Sequence, residues 1–108
     1  MIRALELSRK IYEAGFEPDG KILHKSIAYF SVDWCWEMLP DSIDHLNSLV
    51  VTKNAIVYEE SPDHISAYYC EIKGSLHEAL LETVWWCINN GYLKTDSDGN
   101  FIISRYRD

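Results

Sequence analysis

The chain has 108 residues, 47% of them hydrophobic, 25% charged and 13% aromatic, which is enough material for one domain with its own core. Apolar residues are too many for a disordered chain, and no run reaches the roughly 20 apolar residues that span a bilayer. The net charge of −7, from 10 Lys+Arg against 17 Asp+Glu, comes with no basic stripe able to neutralise phosphates, which argues against direct nucleic-acid binding.

Ala4, Leu7, Ser8, Ile11 and Ala14 fall on one stripe at helical spacing, so a first helix is expected over Ile2–Ala14. Gly15 stops it, with Phe16 folding back on the last turn, and Glu17, Pro18, Asp19 and Gly20 make a turn. Residues 21–30 suggest one or two short extended segments around Lys25 and Ser26. Ser31 reads as an N-cap, with Asp33 where the helix dipole favours a carboxylate, and a short helix over Val32–Leu39 ends at Pro40 and Asp41.

Between Leu46 and Lys73 the period changes to that of strands. Apolar runs at Leu49–Val51, Ala55–Tyr58 and Ile65–Ile72 are separated by turn residues at Thr52–Asn54 and Ser61–Asp63. Connections this short join antiparallel neighbours, giving a meander of two or three strands. Ser75 and Glu78 then form an S-x-x-E capping box, in which the Ser75 hydroxyl accepts from the Glu78 backbone and the Glu78 carboxylate reaches back to the cap. In the last helix that follows, Leu76, Ala79, Leu80, Thr83, Val84, Cys87 and Ile88 span a broad apolar arc that should lie against a sheet. Asn90 and Gly91 end the helix, Tyr92 and Leu93 pack back over it, and a turn over Asp96–Asn100 precedes a terminal strand at Phe101–Ser104. With no repeat or linker, residues 1–108 read as a single globular α+β domain: a small antiparallel sheet of two to three strands packed with an N-terminal and a C-terminal helix, plus the short helix near 32–39.

The charge is uneven along the chain. Residues 31–90 hold two basic and ten acidic groups, residues 1–30 five and four, and residues 91–108 three of each. Cys35, Cys70 and Cys87 each stand beside Trp or Tyr in an apolar stretch and read as buried free thiols, which suits a reducing cytoplasm. Nucleotide-binding loops, nucleophile elbows and HExxH motifs are absent from the sequence. His24, His45, His64 and His77 lack metal-ligand spacing, which leaves only a site assembled by the fold, such as His64 with Cys70 and His77. Asp96, Asp98 and Asn100 alternate as calcium ligands do, but Arg107 stands where the bidentate Glu belongs. His77 and Glu78 are neighbours that point different ways on a helix, and the Asp41/Asp44 and Glu59/Glu60 pairs read as solvated. No cofactor is expected.

Four tryptophans form two clusters, Trp34 with Trp36 and Trp85 with Trp86. On the helical wheel Trp85 falls near the polar edge beside Glu78 and Asn89, and Trp86 falls on the other flank beside Ala79. Trp85, Trp86, Glu78 and Glu82, with Trp34 second in rank, therefore make the candidate interaction surface, for a protein partner or for a homodimer.

The opening ALELSRKIYEAGF, the YFSVDWCWEMLPDSI segment, the YYCEIK strand and the closing HEALLETVWWCINNGYL together resemble a loose group of small phage and prophage open reading frames of unknown function. The resemblance implies phage or prophage origin and a place in the host cytoplasm, and it carries no site residues. The expected role is that of a non-enzymatic accessory or protein-interaction protein. The alternative is a small enzyme or metal-dependent protein whose site only the fold assembles.

Overall fold

A computed structural model describes residues 2–18, 20–22, 27–44, 47–60, 65–95 and 101–103. It is a small α+β fold in which three helices pack against antiparallel sheets. The helices are α1 (Ile2–Glu13), α2 (Val32–Met38) and α3 (Leu76–Asn89). There are two two-stranded antiparallel sheets, β1 (Gly20–Ile22) with β2 (Ile27–Tyr29) and β7 (Leu93–Thr95) with β8 (Phe101–Ile103), and a larger central sheet. The central sheet has four strands in sequence order: β3 (Ser42–Ile43), β4 (Asn47–Val51), β5 (Ala55–Glu60) and β6 (Ile65–Glu71). Its fourth member is the two-residue β3, too short to show a period and masked in the sequence by the helix stop at Pro40 and Asp41.

The expected punctuation is visible in the backbone. The Ser31 hydroxyl accepts from Trp34 N–H at 3.1 Å to start α2, and the Ser75 hydroxyl accepts from Glu78 N–H at 3.1 Å to start α3. Gly15, with φ of 103°, follows α1, and a Cβ there would stand 2.8 Å from Thr95 Oγ1. Both the left-handed backbone and the close approach of β7 therefore require glycine. The turn at Thr52 is closed by its hydroxyl, which accepts from the Asn54 and Ala55 amides. The expected turns at Ser61–Asp63 and Asp96–Asn100 lie outside the described residues.

One half of the capping box is not made. Among the described residues no bond joins the Glu78 carboxylate to the Ser75 amide; only the hydroxyl half secures the helix start. The expectation of three buried thiols also needs correction, because Cys35 and Cys87 are buried whereas Cys70 is only half-buried. Cys70 sits on β6, an edge strand that among the described residues pairs with β5 alone.

The two faces of the central sheet differ. Leu49 lies opposite Tyr58, Tyr58 opposite Tyr68, Val51 opposite Ile56 and Ile56 opposite Cys70, and all of them pack into or against the core beneath α3. The alternate residues Val50, Val57 and Tyr69 form a row across the other face. Val57 is only 8% exposed, yet neither it nor Ala55 belongs to the core cluster. Helix α1 packs chiefly on α3 and β2, and α2 on α3, so the helices gather on one side of the sheet. Among the described residues no helix is long and apolar enough to cross a membrane.

Candidate functional site: the groove beside strand six

Strand β6 is the last in the sheet, and its register identifies which of its backbone groups face outward. Ile72 N–H donates to Asn54 C=O at 2.8 Å, which makes 54/72 a hydrogen-bonded pair. Antiparallel ladders alternate hydrogen-bonded and non-hydrogen-bonded pairs, so Cys70 and Tyr68 bond back to β5 while Tyr69 and Glu71 turn their N–H and C=O groups away from it. The only contact to these outward groups among the described residues is a long one, from the Cys70 thiol to the Glu71 carbonyl at 3.8 Å.

Alongside this edge runs a groove of about 420 Å³, in the size range of ligand clefts. Tyr69, Cys70, Glu71 and Lys73 form one wall. The other is Ser75, Glu78, Ala79 and Glu82, a stripe at i, i+3, i+4 and i+7 that α3 presents past the edge of the sheet. Three carboxylates against one ammonium make the lining acidic. Glu82 is held by Arg3 of α1, Nε to Oε1 at 2.6 Å, and Glu71 stands 4.0 Å from Lys73. The Arg3 guanidinium is pushed up from its ordinary value, chiefly by its hydrogen bond with Glu82. Among the described residues the Glu78 carboxylate has neither an ion-pair nor a hydrogen-bond partner.

Of the residues singled out from sequence, Glu78 and Glu82 are brought together in this groove, and the tryptophans are not. Trp86 lies inward, its ring 4.6 Å from Tyr68, 5.5 Å from Tyr92 and 6.0 Å from Tyr58. Trp85 is half-buried against the core. Trp34 is 9% exposed, with Phe30 at 4.3 Å and Phe16 at 6.3 Å, and the ring of its cluster that reaches solvent is Trp36, at 39%. Tyr69, Cys70 and Glu71 were missed, because the pattern of an apolar run could not supply that, among the described residues, β6 pairs with β5 alone.

The polar groups beneath α3 are satisfied and hold the groove's walls in place. Thr83 donates to the Ala79 carbonyl at 2.8 Å, so Tyr68 is the donor in its 3.1 Å contact with Thr83, tying β6 to α3. Tyr58 donates to the Pro40 carbonyl at 2.7 Å, and Tyr92 donates to Asp44. Burial pushes the Tyr58 and Tyr68 hydroxyls well above their ordinary value, and pushes the Cys87 thiol up to about 12. His77 donates from Nε2 to the Phe30 carbonyl at 2.6 Å and points away from Glu78, as their adjacency on the helix requires. Among the described residues no three of His, Cys, Asp and Glu converge as a metal site, and His64 of the sequence-derived trio lies outside them.

No family model, curated protein or solved structure matches this chain.

Proposed function

We propose that the chain is a non-enzymatic protein-interaction module whose working surface is the groove between β6 and α3. The observation that carries this reading is a seven-residue outer strand with outward-facing backbone groups and a cleft directly beside them. Proteins ordinarily blunt such an edge with lysine, proline, shortness or a covering element. Here ISAYYCE contains neither lysine nor proline, and its only charge is Glu71. A partner that covers this edge accounts for both features. The resemblance of the chain to small phage and prophage reading frames supports an accessory role in the host cytoplasm.

Cys70 provides the test, because Cys35 and Cys87 are fully buried and a thiol-reactive photo-cross-linker will select it. Protein labelled at Cys70 is expected to cross-link to one partner in extract of the native cell. Protein labelled on the exposed face of α2, through Trp36→Cys in a Cys70→Ser background, is expected not to. A partner cross-linked from the α2 position and not from Cys70, or from neither, overturns the reading.

A further inference from the structure

Resting on the reading of the groove as an interaction surface, we infer that its occupant is an extended, basic segment of the partner that adds to β6 as a fifth strand. Three observations converge on this chemistry. The N–H and C=O groups of Tyr69 and Glu71 face away from β5 and are spaced two residues apart, which is the spacing at which an incoming strand exchanges hydrogen bonds. The wall facing that edge is helical and carries the small Ala79 at its middle, and the groove between it and β6 holds about 420 Å³. Three carboxylates line that path, and while Glu82 is paired with Arg3 and Glu71 with Lys73, Glu78 has no partner among the described residues.

In a strand added here, alternate side chains point toward α3 and toward the opposite face of the sheet. Those facing α3 meet the Glu78 side of the groove, where a lysine or arginine supplies the missing countercharge. Those facing the other way come beside Tyr69, which is 63% exposed and offers a ring for apolar packing. An alternation of basic and apolar residues therefore fits both sides of the edge. A second copy of this chain is a poorer occupant. Its own β6 carries no basic residue, and it would bring Glu71 toward a lining that already holds three carboxylates.

The probe is a blocked heptapeptide of alternating lysine and valine, compared with one of alternating glutamate and valine. A third peptide repeats the lysine sequence with N-methyl groups on alternate amides, in both phases. Binding is followed by titration and by amide hydrogen exchange at Tyr69 and Glu71. The lysine peptide should bind at least tenfold more tightly than the glutamate peptide and should slow exchange at both amides. One N-methyl phase should abolish binding, and Glu78→Gln should weaken the lysine peptide about fivefold while leaving the fold intact by circular dichroism.

Equal binding of the two charge types, or protection that bypasses Tyr69 and Glu71, overturns the inference. So does a dimer in sedimentation whose Tyr69 and Glu71 amides are already protected without peptide. If the lysine peptide fails while Cys70 still cross-links to a partner, the basic fifth strand is refuted and the groove remains an interaction surface. If both fail, the groove reading falls with it.

Discussion

The two tryptophan pairs stand on helices of similar composition and meet different fates. In α2, Trp34 and Trp36 are two residues apart, about 200° around the helix, and the short helix packs chiefly on α3. One ring therefore goes into the core against Phe30 while the other reaches solvent. In α3, Trp85 and Trp86 are adjacent, about 100° apart, and both are half-buried, because that helix has the sheet on one side and α1 on another. The lesson is that a ring's exposure follows the number of neighbours its helix has, and a helical wheel describes only the helix. Trp85, which the wheel puts near the polar edge, is half-buried against the core.

Alkaline pH should act on the surroundings of the two pairs differently. The α3 side of the core contains Tyr58, Tyr68 and Cys87, all held above their ordinary values by burial, whereas the ring contacts of Trp34 are to the non-ionising Phe16 and Phe30. For each raised group the unfolded chain releases its proton at lower pH than the folded one. Its contribution to stability is therefore complete below the unfolded value and lost as pH rises toward the folded value. Denaturation midpoints should stay flat to about pH 8 and fall steadily above about pH 9, where the unfolded thiol and then the phenols ionise. A flat profile through pH 11 would mean that these groups are wetter than the structure has them.

Trp86→Ala and Trp34→Ala should each cost about 3–5 kcal/mol in chemical denaturation, since each empties a site packed by other rings. A mild effect at either position would show that its neighbours collapse into the gap. Tyr58→Phe should cost about 1–3 kcal/mol, because the buried Pro40 carbonyl loses its only observed donor. Ser75→Ala should cost roughly 0.5–2 kcal/mol through the N-cap, and Glu78→Gln should add little, as the Glu78 carboxylate takes no part in the cap. At the small end, Trp36→Ala should move stability by no more than about 0.5 kcal/mol. A larger loss there would place Trp36 against a neighbour and erase the contrast between the two pairs.

Much of the fold was legible because its signals are local. Ser31 and Ser75 lack helical backbone angles and cap with a short hydroxyl, Gly15 and Gly91 take positive φ, and Thr52 closes its own turn. Each of these depends on a few neighbouring residues. The groove was half legible: Glu78 and Glu82 follow from the polar side of α3, but their counterparts Tyr69, Cys70 and Glu71 come from another element. The capping box shows the limit from the opposite direction. Ser75 and Glu78 have the right spacing, yet a carboxylate beside open solvent and a cleft gains little by turning back to the cap.

By itself the sequence determined the helices, the meander and most of their ends, since propensity, period and capping act over a few residues at a time. It also determined the acidity of the middle of the chain. Which strand is left at the edge, which tryptophan is covered and which carboxylates face one another was settled in the packing of the elements. Those outcomes depend on contacts between elements far apart in the chain, such as Arg3 with Glu82 and Tyr68 with Thr83, and no local pattern encodes who will stand beside whom.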